Sequence, residues 1–329
     1  MGREFGRRLA RLVRPSPRAD LEILVRWLVS RRPTRACLNL AYNRFSLGRK
    51  EAFYSQFAKI FRDHPQHIAE GTWWANAGGR WVALPLGGDD TWLEWDLAVS
   101  MLGHEVEVKH TYLNLIRLRR PKLFVDIGAN YGLHSVLFLV HGVPTVSFEP
   151  NPRCHAYFQK LAQRNKVACE IQQVALGAAE GWVDISFPER DTWLGSTNSA
   201  VAAQLIEAHG PVTTMRVPET TLDGFTQRDG RRPDLIKIDT EGSEARILEG
   251  ARHTLGTCRP WVIFESWRDA GRSSLLTFFE GLEYRICALP LRLPRPPVVL
   301  DGVSLLDWPT TNLIALPRQD LESGFRFCE

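Results

Sequence analysis

The sequence predicts an α/β fold built on a mostly parallel sheet, and three strand–turn–helix units carry that expectation. In the first, the apolar run Leu123, Phe124, Val125 ends in Asp126, glycines 128 and 132 flank a turn, and LHSVLFLVHG continues at helical spacing. In the second, the strand Val143 to Glu149 is stopped by Pro150 and Pro152, which launch RCHAYFQKLAQRN; there Tyr157, Phe158, Leu161 and Ala162 keep a helical apolar face. In the third, Leu235 to Ile238 reads as a buried strand ended by Asp239. Ser243 onward is helical, with Ile247 and Leu248 inward and Gly250 near the end. In an open α/β sheet, a turn like the first sits at the carboxyl end of its strand and leaves a crevice for a ligand.

The remaining elements follow in order. Residues 20 to 63 read as two or three helices: Leu21, Leu24, Val25 and Leu28 repeat at helical spacing, as do Phe53, Phe57, Ile60 and Phe61. Arg32, Pro33 and Thr34 mark a break between helices, and His64 to Gly71 a linker. TWWANAGGRWVALPL, from Thr72, reads as a β-hairpin turning at Gly-Gly, with Trp73, Trp74 and Trp81 assigned to packing in preference to a substrate site. CEIQQVALG gives a third sheet strand ending at Val174 and Ala175; GWVDISFPER and TTMRVPE are further strands around the polar loop Asp191 to Ser199. Thr221 caps a short helix, TLDGF, in which Asp223 is structural. RPWVIFES is a strand ending in Glu265 at the carboxyl edge of the sheet, SSLLTFFEGLEYRICAL a helix then a strand, and TNLIAL, after a Pro-rich excursion, a last strand. Seven sheet strands with alternating helices result, without internal repeat.

What the first turn lacks narrows its ligand. A dinucleotide fingerprint wants glycines where this chain has Gly128, Asn130 and Leu133, and no Gly-Lys-Ser/Thr follows Gly132 to make a phosphate-cradling loop. A backbone open to close approach, faced by Asp126 and without a cation for phosphate, suits an uncharged ribose and a cationic sulfonium. S-adenosylmethionine (SAM) has both. Glu149 stands 23 residues after Asp126, near the spacing of about 20 at which an acid one strand over reaches ribose hydroxyls. At the third strand, Asp239, Glu241 and Glu244 cluster at the mouth, and Lys237, two residues before Asp239, shares a strand face with it and so has the partner its cation needs inside a central strand. These carboxylates are also hard oxygen donors for a divalent metal, but the helix start accounts for Glu241 and Glu244 without one, and metal is not favoured.

DIGANYG, SFEPNP, VALG and DLIKIDTEGSEARILEGA, in this order, resemble the FkbM family of SAM-dependent methyltransferases, over roughly Trp73 to Arg318. The resemblance implies a class I SAM-methyltransferase (Rossmann-like) fold and methyl transfer to a hydroxyl of a secondary metabolite, sugar or glycolipid. It implies cofactor contacts from Asp126, Gly128, Ala129, Asn130, Tyr131 and Gly132, from Glu149, Pro150 and Asn151, and from Asp239, with Val174 and Ala175 as less specific contacts to the adenine. In the family the segment between the third and fourth core strands covers the acceptor side. Trp193, Asn198 and Ser199 are therefore substrate candidates, with an ordinary surface loop as the equal alternative, and Glu265 joins them. Glu105 and Glu107 lie where such chains often carry an acid. For catalysis, Asp239 or Glu241 orients or deprotonates the acceptor and Lys237 sets the charge balance, with Glu265 and His134 in reserve.

The expected organisation is a helical accessory region over 1–71, a methyltransferase domain over 72–318 with its core at 121–289, and a tail over 319–329. Six cysteines without a Cys-x-x-Cys pair argue against zinc and disulfides and fit a cytoplasmic chain. No apolar run approaches the length of a membrane span, and the N-terminus lacks the apolar core of a secretory signal. The net charge of +4 is concentrated in residues 1–34, where nine Arg face three acids. That arm reads as a solvated helix in preference to a contact for an anionic surface, and no nucleic-acid partner is expected. The expected partner is a small-molecule or glycan acceptor with a hydroxyl; the oligomeric state is left open. Two other classes compete: a catalytically silent methyltransferase-like binding module, and an NAD-dependent oxidoreductase, which Asn130 and Leu133 disfavour.

Overall fold

The computed structural model describes residues 24, 31–62, 71–86, 91–188, 194–267 and 271–323. The chain divides into two compact units, Met1–Ala75 with Leu84–His104, and Asn76–Ala83 with Glu105–Glu329. In the first unit, α1 (Arg32–Asn43) starts with Pro33 in its first turn, where a missing N–H costs nothing, and α2 is Leu47–Arg62. Leu21, Val25, Leu28 and the linker residues 64–70 lie outside the described residues. Arg35, Asn39 and Tyr42 form the buried stripe of α1. Asn39 accepts from the Trp73 indole at 3.2 Å and donates to the Trp74 carbonyl, which satisfies a buried amide from both sides. The hairpin follows as β1 (Gly71–Ala77) and β2 (Arg80–Leu86), turning at Gly78 and Gly79, and then α3 (Thr91–Gly103). Trp73 packs as expected and is fully buried, whereas Trp74 and Trp81 are half exposed.

The second unit continues with α4 (Val106–Leu118), β3 (Phe124–Ile127), α5 (Leu133–Val140), β4 (Thr145–Phe148), α6 (Pro152–Asn165), β5 (Glu170–Gln172), β6 (Ala175–Leu176), β7 (Gly181–Pro188), α7 (Ser199–His209), β8 (Val212–Thr220) and α8 (Leu222–Asp229). It ends with β9 (Leu235–Ile238), α9 (Glu244–Glu249), α10 (Arg252–Cys258), β10 (Trp261–Glu265), α11 (Gly271–Gly281), β11 (Tyr284–Ala288), α12 (Gly302–Asp307), β12 (Asn312–Pro317) and α13 (Arg318–Glu322). Seven strands form one sheet in the order β11-β12-β10-β9-β3-β4-β5, parallel except for β12, which runs against both neighbours. This is the α/β, class I arrangement: the chain starts in the middle at β3, fills one side, then crosses to β9. Strands covered on both faces read as unbroken apolar runs, and every residue of β3, β4 and β9 is buried.

Two expectations change here. The third strand ends at Gln172, not at Val174 and Ala175, because the chain leaves the sheet edge there. Ala175 and Leu176 instead pair with Glu219 and Thr220 of β8, opening a separate three-stranded sheet in the order β6-β8-β7. The strands read from GWVDISFPER and TTMRVPE are present, but they belong to that second sheet. The Thr221 cap is present, its hydroxyl accepting from the Gly224 N–H at 2.9 Å. Asp223 is structural: it accepts from the backbone of His253 and Thr254 at the start of α10.

Candidate functional site

The crevice opens where the strand order reverses, between β3 and β9. Asp126 and Lys237 are cross-strand partners, and the ladder runs one step further, with the Asp239 N–H donating to the Ile127 carbonyl at 3.1 Å. The chain then turns away at Gly128, whose φ of +77° suits glycine. A Cβ built there would lie 1.8 Å from the Asp239 carbonyl oxygen, so the two strand ends meet backbone to backbone. Gly132 repeats the device: its φ is +78°, and a Cβ would lie 2.3 Å from the Phe158 ring. Asn130, between them, also has a positive φ of 53°.

Glu149, just past β4, secures that turn. One carboxylate oxygen accepts from the Asn130 N–H at 2.7 Å and the other from the Asn151 N–H at 2.8 Å. Each oxygen keeps a lone pair for a ligand. Burial pushes Glu149 up to about 7 against the pull of these two N–H groups, the Asp126 charge adding to the rise. Asp126 has no exposed surface: one oxygen accepts from the Ser135 hydroxyl at 2.5 Å, and the other is buried without a hydrogen-bond partner among the described residues.

Across the switch point lies a chain of charges. Lys237, buried in β9, donates from Nζ to Asp239 Oδ2 at 2.6 Å. Burial alone would pull the ammonium down, but the charges of Asp239, Glu105 and Asp126 outweigh it and hold Lys237 above its ordinary value. Glu105, in a left-handed conformation (φ 48°) at the start of α4, faces His134 Nε2 at 3.0 Å. The Asn312 amide donates to both Glu105 and Glu107 at 3.1 Å. Burial lowers Lys109 to about 8 despite Glu105 and Glu107 beside it, with Lys237 adding to the fall, and burial with Lys237 lowers His134.

The mouth itself is acidic. Glu244 is committed to its own turn, accepting from the Thr240 N–H, the Thr240 hydroxyl and the Gly242 N–H. Among the described residues, the carboxylates of Glu241 and Glu265 make no hydrogen bond or ion pair. Burial, with the charges of Asp239 and Glu244, pushes Glu241 up to about 7; burial, with Asp239, Glu241 and Glu244, pushes Glu265 up to about 8. Glu265 is the cross-strand partner of Asn312. Among the described residues, no group of three His, Cys, Asp or Glu side chains is set to hold a metal ion.

Residues 126–286 match the family described as the Methyltransferase FkbM domain. A relative, the methyltransferase sdnD of Sordaria araneosa, is 23% identical over 194 residues, covering 51% of this chain and 74% of that one. Among solved structures, the FkbM methyltransferase of Methylobacillus flagellatus KT is 14% identical with a TM-score of 0.37, covering 70% of this chain and 56% of that one. A SAM-dependent methyltransferase of Agrobacterium tumefaciens is 12% identical with a TM-score of 0.37, covering 77% and 72%. The chain thus spans a little over half the length of the Methylobacillus structure.

In and around the matched segment, the residues expected to meet a cofactor fall into two groups. Gly128, Asn130, Gly132, Glu149, Asn151 and Asp239 are brought together around the switch point. Pro150 lies between Glu149 and Asn151 and is partly exposed, whereas Ala129 is buried, its N–H spent on the Phe148 carbonyl. Tyr131 is buried edge-on against Tyr157, 5.8 Å between ring centroids. Val174 lines a groove of about 740 Å³ with Gln172, Trp182, Thr220 and Phe225, and Ala175 is buried in the second sheet. Trp193 lies outside the described residues. Asn198 caps α7, accepting from the Ala200 N–H at 3.0 Å, and Ser199 is exposed on its first turn.

Asn312 and Lys109 escaped the sequence reading. Asn312 had no local signal, being 207 residues from Glu105. Lys109 had a faint one, the alternation Glu105, Glu107, Lys109 beside otherwise apolar positions.

Proposed function

We propose that this chain is a SAM-dependent methyltransferase that methylates a hydroxyl oxygen of a small-molecule or glycan acceptor. The observation that carries the reading is the backbone contact at the switch point: Gly128 lies so close to the Asp239 carbonyl that no side chain fits, and Glu149 clamps the turn while keeping lone pairs free. Such a cradle suits a ribose on Glu149 and a positive group near Asp239 and Asp126. The buried Asp126 oxygen without a partner accords with it. The bound cofactor would supply a methyl group activated by a positive sulfur.

The chain's own part is position and proton management. Holding two reactants in line is worth up to about 7–11 kcal/mol of barrier, and a general base adds about a hundred- to ten-thousand-fold. Asp239 is already paired with Lys237, which suits it to orienting; the carboxylates of Glu241 and Glu265, without hydrogen bond or ion pair among the described residues, suit proton acceptance and acceptor contact. Calorimetric titration of the full chain with SAM and with NAD tests the reading, with Glu149→Ala alongside. SAM binding lost in the variant is expected; a folded wild type that ignores SAM overturns it and favours a silent module.

A further inference from the structure

The segment before α7 is tied to the loop that carries Glu241 by three side-chain hydrogen bonds. The Ser196 hydroxyl donates to the Glu241 carbonyl at 2.7 Å, Thr197 and Ser243 share a hydroxyl–hydroxyl bond of 2.6 Å, and the Asn198 amide donates to the Gly242 carbonyl at 3.0 Å. Ser196 is anchored in turn, exchanging two backbone hydrogen bonds of 3.0 Å with Ser186 of β7. The loop so held carries strain at Glu241, which has φ 54° next to Gly242 at φ 97°. A non-glycine residue in the left-handed region is disfavoured and persists only where its surroundings enforce it. The clamp acts on three successive residues, 241, 242 and 243, and Ser196 and Asn198 take the carbonyls that the turn exposes.

Building on the methyl-transfer reading, we propose that Ser196, Thr197 and Asn198 are positioning residues that hold Glu241 over the mouth, where it takes the acceptor's proton. The step balances: as the acceptor oxygen bonds to the methyl carbon, the carbon–sulfur bond breaks and leaves a neutral thioether. The hydroxyl proton passes to the Glu241 carboxylate. Asp239 is tied to Lys237 and Glu244 to the Thr240–Gly242 backbone, so neither has the same freedom. The clamp also gives Asn198 a double use: its oxygen caps α7 and its amide reaches the loop. The helix on the acceptor side is thereby coupled to the base.

Removing the clamp frees the loop to relax, and Glu241 moves toward water and away from the groups that surround it. These are Asp239 and Lys237 of the β9 end, Glu244 of α9, Glu105 at the start of α4 and Glu265 at the end of β10. The test is a pH titration by carboxyl-carbon NMR of the full chain labelled in glutamate, with Glu241→Gln identifying the resonance. Ser196→Ala/Asn198→Ser removes the two carbonyl contacts while a serine still caps the helix. Wild-type Glu241 is expected to titrate near 7, and in the double variant at least about one pH unit lower, a tenfold change in proton affinity. An unchanged titration in the folded double variant, or an ordinary carboxylate value in the wild type, overturns the proposal. Calorimetry with S-adenosylhomocysteine reports on the cofactor reading separately: if it fails with the wild type, that reading falls while the titration still decides the clamp.

Discussion

Lys237 Nζ and Asp239 Oδ2 lie 2.6 Å apart, two residues along one central strand and its end, with the lysine 2% exposed. Strand periodicity puts both side chains on one face, and the cross-strand partner of Lys237 on that face is Asp126. A single buried cation therefore compensates two carboxylates at the switch point, with the Glu105 charge adding to its stabilisation.

Lys237→Met is expected to cost about 3–5 kcal/mol, because it leaves buried carboxylates without their cation. Since the folded value of Lys237 is raised, the stability it contributes is complete below the ordinary lysine value and is lost as pH climbs through the folded one. Urea denaturation at pH 7 measures the loss. A change below 1 kcal/mol would show that the pair is dispensable.

Gly128→Ala is expected to abolish tight binding of S-adenosylhomocysteine, with at least a tenfold loss in affinity. A Cβ at this position would sit 1.8 Å from the Asp239 carbonyl oxygen, and backbone, unlike a flexible side chain, cannot step aside cheaply. Gly79→Ala is the control: its φ is +89° but nothing lies within 4 Å, so it carries strain without a clash. Calorimetry on both variants checks this; equal affinities would remove the close approach from the account.

Glu265 makes the folded chain less stable as pH rises. Burial and the charges of Asp239, Glu241 and Glu244 push Glu265 up to about 8, so the folded chain keeps a proton that the unfolded chain releases near about 4.3. Stability from this group is full below the unfolded value and is lost as pH rises through about 8. Melting temperature should therefore fall between pH 6 and pH 9, and Glu265→Gln should flatten that fall. At pH 9 the variant should be more stable by on the order of 1 kcal/mol, less than full linkage because the side chain is partly solvated. Parallel pH curves for the two proteins would contradict the assignment.

Local signals explain which parts of this architecture could be read in the sequence. The turn from Asp126 to Gly132 announces itself because an apolar run, a carboxylate and two glycines are adjacent, and Lys237 with Asp239 because period two puts them on one face. The matching family segment begins at that turn. CEIQQVALG, by contrast, has no Gly or Pro between Gln172 and Ala175 to show that the chain changes sheets, and the partner of Ala175 lies far along the sequence at Glu219. The clamp on Glu241 was equally hidden. Ser196, Thr197 and Asn198 look like an ordinary polar loop, and their partners are 44 to 46 residues away.

The start of β12, where Asn312 meets Glu105 and Glu107, depends on a residue from another helix. Arg272, on α11, is fully buried and donates to four carbonyls: Ser266 at 3.0 Å, Leu305 at 2.8 Å, Trp308 at 2.7 Å and Thr310 at 2.7 Å. The planar fork of a guanidinium can serve four acceptors at once, whereas an ammonium has three donors on one point. Arg272→Met removes all four bonds and leaves buried carbonyls unmatched, each bond to a charged donor being worth about 1.5–3 kcal/mol. We expect a loss above about 3 kcal/mol, or a fall in melting temperature of roughly 6–12 °C for a domain of this size. Arg272→Lys should recover only part of it. Because Thr310 and Ser266 flank the ends of β12 and β10, both variants should also weaken S-adenosylhomocysteine binding less than they weaken stability. Full thermal stability in Arg272→Lys would show that charge alone, and not the fork, holds these loops.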